Sequence, residues 1–189
     1  MTLLSFFSDA LPPLVRDVLE HPGCLDALQP DSILHPALAD SVQSADLADL
    51  TAKRAVRNHS MLALFQGGLL YALDSLDAAH AIFQEDSSPY GSYWHGMMHR
   101  REGDFSNACY WFARAGRLHE AGEIQQLLQN PPLASPCSWS PEDFTRRCER
   151  MARGRPDTPL ESLQRIQKIE FSVLLRRCWN AAITVSSPS

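Results

Sequence analysis

PYGSYWHGMMHRREGDFSNACYWFARAG occupies residues 89–116, and its punctuation predicts two helices joined by a tight turn. Ser88 is placed to cap an N-terminus with Pro89 as the first helical residue. Gly103-Asp104 ends that helix, Phe105 to Ala115 forms the next, and Gly116 stops it in C-cap fashion. Neither here nor elsewhere does an alternating apolar run of strand length occur, so the class read from the chain is all-α.

Helix signals continue in both directions from this hairpin. Upstream, His59 to Leu73 follows Asn58 and is apolar on nearly every side, the pattern of a helix in the middle of a bundle. Ser75 to Gln84 comes next. Pro12 and Pro13 open a helix to about Glu20, and Asp46 to Arg57 reads as an amphipathic helix with Leu50 and Val56 inward. Pro30 and Pro36 limit Asp26 to Ala45 to short helical turns and loop. Downstream, a helix over Leu118 to Gln129 leads to a proline-rich stretch at 130–139, the best internal boundary. Ser140-Pro-Glu-Asp143 and Thr158-Pro-Leu-Glu161 read as capping boxes that open helices over Pro141 to Arg153 and Pro159 to about Ile183. The expectation is a compact bundle of helical hairpins with eight or nine helices. Residues 1–58 form an acidic N-terminal helical extension packed on the main domain, 59–183 the helical-hairpin domain and 184–189 a disordered tail.

An internal repeat supports the hairpins. A shift of 29 residues superposes Gly67 on Gly96, Leu76 on Phe105, Ala79 on Ala108, Phe83 on Phe112 and Phe65 on Trp94. Small residues stand where helices touch and a large one fills the groove. This resembles a tetratricopeptide-type helix pair, most of all in EGDFSNACYWFARAG (102–116). The period is shorter than the ~34 residues of that repeat, so the resemblance implies compact pairs and not a superhelix.

Composition narrows the function classes. The chain of 189 residues has 17 basic and 22 acidic side chains, a net charge of -5 and 44% apolar residues, which suits one folded domain and excludes disorder. A mildly acidic chain is a poor match for phosphate neutralisation, so nucleic acid is not an expected partner. Acids dominate residues 1–50 and bases residues 137–189, which makes a homo-oligomer one expected partner state. No apolar run approaches the ~18 residues needed to span a bilayer, and no membrane partner is expected. The N-terminus lacks the basic segment of a signal peptide, and five cysteines without CxxC spacing favour a reducing compartment. A cytoplasmic protein follows.

The unusual chemistry lies in Tyr93-Trp94-His95-Gly96-Met97-Met98-His99-Arg100-Arg101-Glu102. At about 100° per residue, His95, His99 and Glu102 share one helical stripe. Two imidazoles at i, i+4 with a carboxylate one turn on are acceptable ligands for a divalent ion, and His80 or His59 on a neighbouring helix would complete the set. The alternative is a buried polar network in which the histidines bond a carboxylate or the hydroxyl of Tyr93 or Tyr110 and serve packing alone. Arg100 and Arg101 read either as salt-bridge partners of Glu102 and Asp104 or, with Arg114, as a clamp for a small anionic ligand. Cys109 comes near His80 only if the repeat pairing holds, and no nucleophile elbow or phosphate-binding glycine loop occurs.

Tyr93 to Gly116 also resembles the signature YWHxxMHRRExDxxNxxYWFRRxG of an uncharacterised family of bacterial and fungal proteins. Trp94, His95, Met98, His99, Arg100, Arg101, Glu102, Asp104, Asn107, Tyr110, Trp111 and Phe112 match it, and Ala113 stands where the pattern has its first arginine. The resemblance extends from about His59 to Ala182, with WSPEDFTRRCERMARG and RIQKIEFSVLLRRCWNAA similar to that family's C-terminal helices, and it implies no activity. Two functions stay open. One is a non-enzymatic helical scaffold or interaction module for an unknown protein partner, with no cofactor. The other is a small-molecule or metal-binding protein, hydrolytic in one form, whose site holds His95, His99 and Glu102 with His80, Tyr93, Arg100, Arg101 and Tyr110 nearby.

Overall fold

The computed structural model describes residues 2–8, 10–129 and 139–184. Among them, ten α-helices follow a short 3-10 turn at Leu3–Phe6. They are α1 (Pro13–Glu20), α2 (Pro36–Ser44), α3 (Leu47–Thr51), α4 (His59–Ala72), α5 (Leu76–Phe83), α6 (Pro89–Glu102), α7 (Phe105–Ala115), α8 (Ala121–Leu128), α9 (Pro141–Ala152) and α10 (Leu160–Ala182). The described residues contain no strand, only an isolated antiparallel bridge between Val56 and Ile183. The all-α class is therefore correct.

Four local expectations need correction. Pro36, read as a breaker, opens α2: it stands at N1, and His35 Nδ1 accepts the Leu38 amide at 3.1 Å, which accounts for the helix beyond the expected eight or nine. The helix expected over Asp46 to Arg57 stops at Thr51, because Ala52 and Lys53 take left-handed φ values of 52° and 62°. The chain then runs extended so that Val56 can bridge Ile183. Arg57 N–H donates to Ala182 O at 2.8 Å and Thr184 N–H to Ala55 O at 3.0 Å, pairings that a helix could not offer. Thr184, expected in a disordered tail, is thus held in place. Finally, Thr158 caps nothing. The α10 N-cap is Pro159, and Thr158 Oγ1 donates to Asp157 and accepts from Arg147. Ser140 does cap α9, accepting the Asp143 amide at 3.2 Å. Residues 185–189 of the tail and 130–138 of the proline-rich boundary lie outside the described residues.

Apolar burial is organised in two clusters that share α10. Helices α1, α2 and α4 to α7 join the C-terminal half of α10 in the larger one. Helices α8 and α9 pack with its N-terminal half around Phe144, Leu163, Ile166 and Ile169. The N-terminal region contributes Val15, Val18, Leu19, Leu25 and Val42 to the larger cluster. Backbone bonds reinforce that attachment: Gln167 Nε2 donates to Leu25 O and Ala27 O at 3.0 and 2.9 Å, and Leu34 N–H donates to Leu73 O at 2.9 Å.

The repeated glycines mark where each hairpin closes. A Cβ on Gly67 of α4 would stand 2.5 Å from the Phe83 ring of α5, and one on Gly96 of α6 would stand 2.9 Å from the Phe112 ring of α7. Equivalent residues make the same contact in both hairpins, and the close approach of backbone to ring leaves no room for a methyl group. Gly67→Ala is expected to destabilise the fold by about 1–3 kcal/mol through overpacking. Gly122→Ala, in an exposed turn of α8 with nothing within 4 Å of the new carbon, is expected to stabilise by up to about 1 kcal/mol. Urea unfolding of the two variants checks both signs.

Candidate metal centre

Helix α6 is buried from Gly91 to Arg101, although its sequence carries four cationic or titratable rings and guanidines. The ends are well determined. Ser88 Oγ accepts the Gly91 amide at 3.1 Å, and Gly103 closes the helix at φ 83°. Asp104 then donates its N–H to His99 O at 3.0 Å, while its carboxylate accepts the Asn107 amide at 3.2 Å. This turn folds the start of α7 back beside the last turn of α6, so residue 107 comes to lie next to residue 99.

The two arginines face away from the histidines. Arg100, 1% exposed, pairs with Glu170 of α10, which also accepts the Tyr93 hydroxyl at 2.9 Å. The Arg100 guanidinium lies 4.3 Å from the Phe144 ring centroid. Arg101, also 1% exposed, pairs with Asp74 and donates to Tyr71 O and Ala27 O at 2.7 and 3.0 Å. Burial works against the charge on Arg100, and Glu170 more than offsets it, holding the guanidinium protonated. Each guanidinium is consumed inside the protein. The expected partners Glu102 and Asp104 are therefore wrong, and no Arg100–Arg101–Arg114 clamp forms. Arg114 is exposed and lies 5.2 Å from the Trp111 ring centroid.

On the opposite flank, three imidazoles converge. His95 and His99 stack at 4.8 Å between centroids, 18° from parallel, which is the stripe read from the sequence. His80 reaches in from α5, with its Nε2 at 2.9 Å from His95 Nε2. One ligand nitrogen from each of His80, His95 and His99 can be chosen so that all lie within 4.8 Å of one another. His95 and His99 are 5% and 7% exposed, and His80 is half-buried. The Trp111 ring covers His95 at 4.0 Å, nearly parallel.

Hydrogen bonds fix the ring states. A carboxylate only accepts, so His99 Nδ1 carries a proton and donates to Glu102 Oε2 at 2.9 Å, leaving His99 Nε2 as a lone pair that accepts from Asn107 Nδ2 at 3.1 Å. Of His80 and His95, one holds the single proton between the two Nε2 atoms. His95 Nδ1 is buried without a hydrogen-bond partner. Burial, with His99 and His80 beside it, pushes the His95 pKa down to about 4, so the ring is neutral at physiological pH.

Glu102 stands outside the group of three imidazoles, as the acceptor of His99 Nδ1–H, whereas His80, one of the two histidines read as completing the set, stands within it. His59 is exposed at the start of α4, and Tyr110 is 57% exposed, edge-on to Trp111 at 5.5 Å. Tyr93 belongs to the Glu170 network. The thiol of Cys109 feels Arg146, Glu142 and Glu149 of α9 and has no bond to His80. Asn107 and Trp111 were legible only as letters of the quoted motif, since spacing within one helix cannot report what the next helix brings.

No protein-family model, no curated protein and no solved structure matches the chain, so function is read from the chemistry of the site.

A neutral His95 has a stability consequence. Below pH 6.5 the unfolded chain takes up a proton that the folded ring resists until about pH 4, so stability falls as pH drops through that window and levels off below it. Chelator-treated protein is expected to lose melting temperature between pH 6.5 and 4, and His95→Phe, which keeps a ring on Trp111, is expected to lose less. Superimposable acid limbs for the two proteins would contradict the assignment.

Proposed function

We propose that this chain binds a divalent metal ion through His80, His95 and His99, with Glu102 orienting the third ligand. The observation that carries this reading is the pair of imidazole Nε2 atoms facing each other at 2.9 Å across two helices, with the His99 ring stacked beside His95 and bonded to a carboxylate. Ligand nitrogens bound at about 2.0–2.1 Å to one tetrahedral ion stand roughly 3.3–3.4 Å apart, so the hydrogen-bonded pair has to open by a few tenths of an ångström while the third nitrogen, in a group that lies within 4.8 Å, moves in. A low pKa keeps His95 in the neutral form that ligates. Three neutral imidazoles leave the ion its full charge and an open position, and such an ion acidifies bound water and polarises oxygen-containing ligands. Hydrolytic chemistry on a small anionic ligand is the activity that this set would support.

The scaffold reading rests on the two hairpins and their likeness to tetratricopeptide pairs. It gains little from the surface. The large apolar side chains left exposed among the described residues are Ile33, Tyr110 and Leu160, one each on a loop, α7 and α10, and scattered residues of this kind mark no docking face. No helix among the described residues is long and apolar enough to cross a membrane. A reducing, cytoplasmic setting fits the four described cysteines, which are free thiols.

Apoprotein titrated with Zn(II) in a calorimeter is expected to bind one equivalent. His95→Ala and His80→Ala should each lose at least a hundredfold in affinity, and Glu102→Gln about 10–100-fold as the orienting bond weakens. Failure of the wild-type protein to take up Zn(II), Co(II) or Ni(II), or uptake that survives both histidine substitutions, overturns the reading.

A further inference from the structure

The lone pair that His99 would offer a metal is engaged by a side-chain amide. His99 Nδ1–H donates to Glu102, and Nε2 accepts from Asn107 Nδ2 at 3.1 Å. An ion can bind there only if this bond breaks, and the group displaced is an amide, whose other end is an oxygen. The backbone of Asn107 is pinned in the first turn of α7 by Asp104, which accepts its N–H, and the residue is half-buried. Rotation of the side chain about its terminal torsion exchanges Nδ2 and Oδ1 at nearly the same places.

Resting on the metal-centre reading, we infer that Asn107 is a switching fourth ligand. Without metal its amide N–H occupies His99 Nε2. When the ion arrives, the amide turns over and Oδ1 occupies the position that the three imidazoles leave open, until an oxygen of water or substrate displaces it. Distance supports the exchange. Two ligand atoms about 2.0–2.1 Å from one tetrahedral ion stand roughly 3.3–3.4 Å apart, and the amide atom is 3.1 Å from His99 Nε2, as the His80 and His95 nitrogens are 2.9 Å apart. Both hydrogen bonds fall a few tenths of an ångström short of such an edge, so small side-chain movements separate the two states. The resulting set of three imidazoles and one neutral oxygen keeps the ion's charge at +2. It accepts Zn(II) and Co(II), whereas a site built for soft Cu(I) would present thiolates or thioethers. The metal ligands stay neutral through the switch: the proton between His80 and His95 moves to Nδ1 of the ring that held it, so that both Nε2 lone pairs face the ion and no net proton is released.

Co(II) alone, titrated into apoprotein and followed by its visible d–d absorption, tests this with three variants. Asn107→Ala is expected to hold Co(II) about tenfold or more weakly, with shifted and altered bands because water replaces the amide oxygen. Asn107→Asp, which supplies a charged oxygen at the same position, is expected to bind at least as tightly as wild type. Far-ultraviolet circular dichroism of the apoproteins establishes that both fold. Wild-type affinity or better in Asn107→Ala makes the amide a mere competitor and overturns the switch while leaving the metal centre intact. Equal weakening in Asn107→Ala and Asn107→Asp also overturns it. Absence of Co(II) binding in wild type, matched by His99→Ala, removes the metal centre and this inference with it.

Discussion

Two guanidinium groups inside a helical bundle must each find a carboxylate, and the way Arg100 and Arg101 do so determines how α6 sits. Removing an ion from water costs several kcal/mol even after relaxation, and a buried charge left without its partner costs about 3–5 kcal/mol. Glu170 answers Arg100 from α10, and Asp74 answers Arg101 from the turn between α4 and α5. Adjacent residues on a helix point about 100° apart, so pairing them with acids on different elements leaves α6 no rotational freedom. The same two bonds do more than neutralise. Arg101 also holds Ala27 O of the N-terminal region, and Tyr93 completes the coordination of Glu170.

Once α6 is locked, its remaining flank is committed. His95 and His99 face the gap between α5 and α7, where His80, Asn107 and Trp111 come in from the two neighbouring helices. The Gly96–Phe112 contact brings α7 close enough for Trp111 to cover His95, and the Gly103-Asp104 turn sets Asn107 beside His99. Dry surroundings keep His95 neutral, and a carboxylate at the exposed end bonds Nδ1 of His99. Packing and site therefore have the same origin, namely the requirement that a polar helix be buried with every charge matched.

Much of this was legible in the chain because it follows from periodicity and punctuation within single helices. Ser88, Pro89, Gly103 and Gly116 delimit α6 and α7 by backbone chemistry that acts locally. The 29-residue shift that aligns Gly67 with Gly96 and Phe83 with Phe112 anticipated the closure of both hairpins, since a small residue opposite a large one is a sequence signal. The shared stripe of His95, His99 and Glu102 is a consequence of 3.6 residues per turn. What failed were the relations between helices. The partners of Arg100 and Arg101 lie 70 and 27 residues away in sequence, so a reading confined to residues within four positions supplied Glu102 and Asp104 instead. His80 was read, with His59, as a histidine that could join the stripe, and only the contact of α5 with α6 selects between them. The early end of α3 reflects a tertiary demand as well: extended backbone at Val56 is needed by Ile183, and no residue between Ala52 and Arg57 announces it.

The most direct measurement is an anomalous difference map from crystals of the full chain grown with zinc, with data collected on both sides of the zinc absorption edge. One peak is expected at about 2.0–2.1 Å from His80 Nε2, His95 Nε2 and His99 Nε2, with Glu102 still bonded to His99 Nδ1. A map that is flat there, or whose density sits on exposed histidines such as His21, His35 or His59 while His80 and His95 keep their hydrogen bond, would contradict the central claim.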